Sequence, residues 1–562
     1  MTSNITHTGG PAKTNKTVNV AAHLTRMARR YPYQKAVIHP AGRDNHNRMA
    51  YSHLTFRQLD KLSDCLSHGL DQAGISRGTR TVLMVPPSPE FFILVFALFK
   101  VGAVPVVVDP GMGIPRMIRC LRDTKPTAFI GISKAHVLRF FYPRFFKTVK
   151  TWVTVGTRWF WGGLSLDQMY AAPGKPYPAA PTGIDETAAI LFTTGSTGPP
   201  KGVVYTHGIF DAQIRHIRSH FKIEPGEIDL PTFPLFSLFD PALGMTAVIP
   251  DMDPTRPAHA HPVKIIEAIV DQGVTNMFAS PALVRRVGEY GKTQGIRLPS
   301  LRRVISAGAP VSPDVIDTFS HMLSSRAEIH TPYGATEAMP VASIASKEIL
   351  SKTRRMSEKG CGICVGRPID GITIRIITIT DAPIDRWNDD LVLPSGQIGE
   401  ITVQGDLVTR RYYDHPAAND LAKIKDGNRF WHRMGDLGWI DTAGNLWFCG
   451  RKNHRVVISE ETTLYSIPCE AIYNNHDRVY RSALVGVGDV PNQTPVICIE
   501  LQKDADQQDQ DEIRAALQAL GNTSPHTKEI RNILFHDAFP VDIRHNAKIF
   551  REKLAEWAET QL

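Results

Sequence analysis

Leu191-Phe-Thr-Thr-Gly-Ser-Thr-Gly-Pro-Pro-Lys201-Gly202 follows an apolar β-branched run and gathers four hydroxyl side chains, three glycines and one lysine into a dozen positions. Glycines let backbone N–H groups approach an anion, hydroxyls donate further hydrogen bonds, and lysine supplies a compact positive charge. The stretch therefore reads as a phosphate cradle built from Thr193, Thr194, Gly195, Ser196, Thr197, Gly198 and Lys201. It is not a Walker A loop, because Gly202 follows the lysine where that loop needs Ser or Thr for magnesium. The bland alternative, a solvated Gly/Ser linker, does not account for strand, hydroxyls and lysine falling together.

Outward from this loop, strand-like runs at 81–85, 104–108, 151–155 and 188–192 alternate with helical periodicity, which predicts parallel sheets flanked by helices. A chain of 562 residues exceeds one ordinary core. We expect an α/β protein with a disordered tail at 1–18 and a large domain of layered sheets and helices at 19–450. A β-rich subdomain is expected from runs at 373–380 and 399–403 and a hairpin-like pattern at 436–448. A small α+β domain at 451–562 follows a hinge at 451–453, with strands at 482–487 and 496–501 and a helix at 511–520. The Pro/Gly-rich passage 171–183 reads as a surface connection, and no solenoid repeat is present.

The 42% hydrophobic and 21% charged composition is that of a globular protein. A net charge of +9 favours anionic partners, nucleotide or acidic lipid among them, although a generically basic protein fits equally well. Seven cysteines make no disulfide framework and point to a reducing cytosol. Cys361-x-x-Cys364, without a second pair or nearby histidines, reads as structural. Met1 to Thr17 lacks the apolar core of a signal peptide, which leaves the sequon at Asn4 idle. The apolar stretch 91–108 carries Lys100 and Gly102 and reads as a buried helix running into a strand, not a membrane span. The segment 137–163 interleaves Arg139, Arg144, Lys147, Lys150 and Arg158 with nine aromatics. Such a stripe is either partly buried framework or a surface that rests on anionic membrane.

Further motifs continue the chemistry of the loop. Ala307-Gly308-Ala309-Pro310, Tyr333-Gly334-Ala335-Thr336-Glu337, Arg433-Met-Gly-Asp436 and Gly450-Arg451 follow in order. With them the chain resembles, over almost its whole length, the adenylate-forming superfamily of acyl-CoA synthetases, luciferases and nonribosomal peptide synthetase adenylation domains. The resemblance implies ATP and Mg²⁺ as cofactors and no nucleic-acid target. It places the Thr193 to Lys201 loop on the β- and γ-phosphates and Gly308, Ala309 and Pro310 at the adenine pocket. Tyr333 and Gly334 would then lie against adenine, Thr336 at the α-phosphate and Glu337 on Mg²⁺. Asp436 is implied on the ribose and Arg451 beside ribose and phosphate. Pro540-Val-Asp-Ile-Arg-His-Asn-Ala-Lys548-Ile-Phe-Arg551 resembles the terminal motif, which makes Lys548 the catalytic lysine that offsets charge at the α-phosphate. Ala547 stands where that motif has glycine, and Pro540 is farther from the lysine than is usual.

Members that form thioesters rotate the small domain and line a pantetheine tunnel with a glycine. Counting from Arg451, that place falls to Glu460, with Val457 near the usual lysine and Ser237 where many relatives carry histidine. A long anionic side chain crowds and repels an anionic cofactor. The blocks 229–244, 249–257, 450–456 and 539–548 resemble the olefin-biosynthesis branch, the β-lactone synthetases. That resemblance implies a long-chain 2-alkyl-3-hydroxyalkanoic acid as substrate, whose own hydroxyl displaces AMP. It also implies partners: a condensing enzyme, a reductase and a β-lactone decarboxylase. A long-chain acyl-CoA synthetase is the alternative enzyme. A catalytically silent nucleotide-binding scaffold is the alternative from another class, and it sits poorly with Lys201, Glu337, Asp436 and Lys548 all being present.

Overall fold

The computed structural model describes residues 17–170, 175–193, 200–502, 510–541 and 549–562. Its first sheet has seven strands, in the order Leu164–Ser165, Thr151–Val155, Ala128–Ile132, Arg80–Met84, Val104–Val108, Thr187–Thr193 and Lys201–Thr206. Neighbours run parallel except for the last pair, which is antiparallel. Val104-Pro-Val-Val-Val108 and Ala128-Phe-Ile-Gly-Ile132 are apolar without alternation, as strands covered on both faces must be.

The apolar stretch is the helix Pro89–Val101 running into Val104–Val108. Ser88 caps it by accepting the Phe91 N–H, and Gly102, at φ +72°, stops it. Lys100 is buried within the protein, its Nζ 2.7 Å from Asp60 Oδ1 and 2.6 Å from Asp64 Oδ1 on the neighbouring helix Phe56–Gln72. Two carboxylates offset a desolvation that a lone buried ammonium could not sustain.

A second sheet of 14 strands spans the rest of the large domain. Its parallel half carries Ile228–Pro231, Asn276–Ala279, Arg303–Ser306 and Glu328–Ala335. The β-rich region is not a separate sheet. Ala338–Ala345 pairs antiparallel with both Glu328–Ala335 and Ile363–Pro368, which carries the parallel half into the antiparallel one. The hairpin expected at 436–448 is longer, joining Arg429–Ile440 to Leu446–Arg451. The strand expected at 373–380 stops at Ile377. Thr17 and Val18, assigned to the tail from sequence, are instead held by a bridge from Thr17 to Gly183 and a 2.8 Å hydrogen bond from the Val18 N–H to Thr182 O.

Leu446–Arg451 is the last strand of the large sheet, and a 3₁₀ turn at Lys452–His454 leads into the small domain. That domain has its own sheet of Val479–Val487, Thr494–Leu501 and Asn532–Phe535, with the helices Ser466–Tyr473, Gln510–Asn522 and Arg551–Glu559. Leu464, Tyr473, Leu484, Ile497 and Leu517 pack as its core. Gly450 sits at φ +124°, and a Cβ there would meet Ser466 Oγ at 2.3 Å, so the hinge strand passes the first small-domain helix with no room for a side chain.

The basic aromatic segment divides. Phe146 and Trp161 are buried near Phe129 and His136, whereas Phe140, Phe141, Trp159 and Phe160 face outward. All seven cysteines are free, Cys364 being buried in the core beside Trp447. No described helix is long and apolar enough to cross a membrane.

Candidate active site

A cavity of about 1250 Å³ is walled by both large sheets and by the hinge residues Arg451, Lys452 and Asn453. Its lining divides chemically. Lys201, Thr336, Glu337, His432, Arg433 and Arg451 give it a polar, charged part, and Phe91, Phe96, Phe99, Phe210, Phe239 and Phe278 an apolar one.

The strands Glu328–Ala335 and Ala338–Ala345 meet in a two-residue turn, which projects Thr336 and Glu337 into the cavity. A bulge between Tyr333 and Ala335 falls at Gly334, where a Cβ would lie 2.5 Å from Ala338 O. Glu337 Oε1 accepts a 2.7 Å hydrogen bond from the Tyr412 hydroxyl, and the Tyr205 hydroxyl donates to Thr336 O. Tyr412 is fixed in turn by its N–H, which donates to Asn419 Oδ1 at 2.7 Å. Two lysines flank its ring, Lys201 Nζ at 5.2 Å and Lys423 Nζ at 5.9 Å from the centroid. Lys423 is half-buried, and burial lowers its pKa to about 7 against the opposing pull of Glu337. Burial also pushes the neighbouring His432 far below the usual imidazole range, with Lys423 adding to the effect, so the ring is neutral and its Nδ1 faces Ala422 O at 3.1 Å.

Across the antiparallel hairpin, Asp436 lies opposite Arg451 in register. Arg451 Nη1 is 2.8 Å from Asp436 Oδ1 without the alignment of a hydrogen bond, and the Tyr333 hydroxyl donates to Asp436 Oδ2 at 2.6 Å. Burial raises the Asp436 pKa and Arg451 opposes it. Asp436 Oδ1 is thus a buried acceptor with no donor of its own. Arg433 of the same motif is consumed internally, pairing with Glu400 at 2.6 Å and donating to Ala382 O at 2.8 Å.

The structure brings Lys201, Gly308, Gly334, Thr336, Glu337 and Arg451 to one cavity, with Tyr333 and Asp436 tied together at its flank. Gly308, at φ +97°, lines it just after the strand Arg303–Ser306, and Ala309 and Pro310 continue the turn. Thr193 ends its strand opposite Lys201, which closes the base of the intervening loop. Thr194, Gly195, Ser196, Thr197, Gly198 and Lys548 lie outside the described residues. The flanks of the Lys548 segment are clipped together by a Val541–Ile549 bridge and by the Phe550 N–H, which donates to Pro540 O at 2.8 Å. Arg551 forms a buried pair with Glu470 at 2.5 Å. Tyr412, Lys423 and His432 were missed from sequence because nothing local marks them; Tyr412 meets Glu337 across a separation of 75 residues.

Ser237 is buried and donates to Pro234 O at 2.5 Å. Glu460 is exposed in the turn between Val456–Val457 and Thr463–Leu464, away from the cavity.

The model of the AMP-binding enzyme family matches residues 24–413. The chain belongs to that family and is an AMP-forming, adenylate-forming ligase. It is 49% identical to the olefin beta-lactone synthetase of Xanthomonas campestris pv. campestris, over 97% of this chain and 98% of the relative. It is also 49% identical to the olefin beta-lactone synthetase of Stenotrophomonas maltophilia, over 98% and 99%. Among solved structures, the amide bond synthetase McbA from Marinactinospora thermotolerans superposes with a TM-score of 0.77 at 21% identity, covering 96% of this chain and 99% of that one. The o-succinylbenzoate coenzyme A synthetase MenE from Bacillus subtilis, in complex with ATP and magnesium ion, does so with a TM-score of 0.72 at 19% identity, over 95% and 98%.

Proposed function

We propose that this ligase adenylates a long-chain 2-alkyl-3-hydroxyalkanoic acid and closes it to a β-lactone, releasing pyrophosphate and then AMP. The observation that carries the reading is the single cavity in which a polar part, holding Lys201, Thr336, Glu337 and Arg451, joins a phenylalanine-walled part. Nucleotide fits the first and an alkyl chain the second. The two relatives at 49% identity carry the name of the lactone-forming activity and support that second half-reaction.

In this reading the Thr193 to Lys201 loop holds the β- and γ-phosphates, and Gly308, Ala309, Pro310, Tyr333 and Gly334 hold the adenine. Asp436 Oδ1, buried without a donor, accepts from the ribose hydroxyls beside Arg451. Among the described residues Glu337 keeps Oε2 free of hydrogen bonds while Tyr412 fixes Oε1, a hard-oxygen donor that fits Mg²⁺. The metal would neutralise phosphate charge as pyrophosphate leaves. The substrate carboxylate attacks the α-phosphate, with Thr336 and Lys548 offsetting the charge that develops there. The tethered 3-hydroxyl then attacks the acyl carbon, its proton passes to the departing AMP phosphate, and the acyl–phosphate bond breaks to release AMP. Ring closure is intramolecular, so orientation supplies much of the rate. Ser237, bonded to its own helix, leaves no imidazole to serve a thiol, and Glu460 would meet coenzyme A once the small domain turned. We further propose that a condensing enzyme and a reductase supply the acid and a lactone decarboxylase removes the product.

ATP–pyrophosphate exchange tests the division into two steps. A 3-hydroxy acid and its 3-deoxy analogue should both support exchange, and only the hydroxy acid should give sustained AMP release without added thiol. Equal AMP turnover from both acids would contradict a hydroxyl-dependent second step.

A further inference from the structure

Between residues 110 and 166 stand ten lysines and arginines and a single carboxylate, Asp123, which is itself paired with Arg122 at 2.7 Å. The whole formal charge of +9 is therefore accounted for by this stretch, and the remaining chain is balanced. The stretch packs Met117, Ile118, Phe129 and Phe146 inward as one core cluster. Outward it presents four large aromatics, Phe140 at 52% exposure, Phe141 at 75%, Trp159 at 49% and Phe160 at 83%. Arg139 stacks 5.2 Å from the Phe140 ring and 5.7 Å from the buried Trp161 ring, against which Trp159 and Phe160 pack. Exposed aromatics cost solvation in water, and single-sign charge of this density repels itself. Both terms are relieved against an anionic interface with an apolar interior.

The same stretch reaches the cavity. Leu138, on the short helix that carries Phe140 and Phe141, lines it, as do Ile114, Met117 and Lys134. Ile114 both lines the cavity and is 49% exposed. We propose that this face docks on an anionic lipid surface and that the cavity opens onto it, so that the acyl chain passes between bilayer and active site without crossing water. The passage of substrate rests on the long-chain reading above; the docking does not.

Co-sedimentation with phosphatidylglycerol–phosphatidylcholine vesicles, read without substrate, tests the docking. The wild-type protein should bind these and not pure phosphatidylcholine vesicles, and salt should release it. Arg144→Glu with Lys147→Glu should weaken binding roughly thirtyfold or more, since each basic residue near such a surface contributes about 1 kcal/mol. Phe141→Ser with Phe160→Ser should weaken it as well. Both variants should retain wild-type adenylation of a short, soluble acid, which shows the fold intact. Equal binding to neutral vesicles, no binding to either kind, or variants that bind as well as wild type would overturn the proposal. So would a patch required for co-elution with a protein partner while the wild type ignores vesicles.

Discussion

Around Glu337, the Tyr412 hydroxyl orients one carboxylate oxygen, Lys201 and Lys423 lie against the Tyr412 ring, and the second oxygen takes no hydrogen bond among the described residues. Glu337→Gln keeps the Tyr412 contact and removes the charge. The expected outcome is a raised Mg²⁺ requirement for pyrophosphate release, partly restored at high Mg²⁺, with little change in thermal stability. Loss of stability with unchanged activity per folded molecule would make Glu337 structural instead. Lys548→Ala should lower adenylation by about two to three orders of magnitude while nucleotide still binds, as expected for removal of one partner of the transition-state charge. Unchanged pyrophosphate release would remove Lys548 from the reaction. The turn that carries Thr336 and Glu337 was legible because its residues are contiguous. Tyr412 and Lys423 were not, because long-range pairing alone gives them a role.

At the scale of elements, two buried carboxyl arrangements make opposite predictions. Arg551 holds its helix to the small domain by pairing with Glu470, which is buried and also accepts the Leu484 N–H at 2.9 Å. Arg551→Leu leaves that carboxylate unpaired and should cost about 3–5 kcal/mol of stability, read by denaturant unfolding; a loss within about 0.5 kcal/mol would mean the pair is not holding the helix. Asp229, on the strand Ile228–Pro231, and Asp240, on the helix Phe239–Leu243, share one buried site, and Asp240 Oδ2 has no donor. Burial raises both groups, Asp229 to about 7 from an ordinary value of 3.8. The folded protein therefore holds protons that the unfolded chain gives up; the stability Asp229 confers is complete below about pH 4 and lost as pH rises through about 7, and Asp240, also raised, acts in the same direction. Asp240→Asn removes much of this dependence, so its melting temperature should gain on wild type between pH 5 and pH 8. A constant difference across that range would show that the pair does not titrate. The helix Pro89–Val101 was legible from its cap, its apolar run and Gly102. The joining of the β-rich region to the parallel sheet was not, since it depends on Ala338–Ala345 finding partners on both sides.

At the scale of the molecule, two large sheets and the hinge strand enclose one cavity, and a small domain with its own core follows the strand that carries Arg451. The order of motifs along the chain made this layout legible in sequence. The enclosure of the apolar part was not legible, because Phe91, Phe210, Phe239 and Phe278 come from four separate elements and show only local periodicity. On the proposed reading, that enclosure would favour the tethered hydroxyl over an outside nucleophile, since an acyl-adenylate held among phenylalanines would be shielded from water and need only internal rotation to react. The central claim is tested by product analysis. Purified protein, a long-chain 2-alkyl-3-hydroxy acid, ATP and Mg²⁺, with no coenzyme A, should yield a β-lactone by mass spectrometry and NMR, with one AMP and one pyrophosphate per ring closed. A thioester formed only when coenzyme A is supplied, with no lactone in its absence, would contradict it.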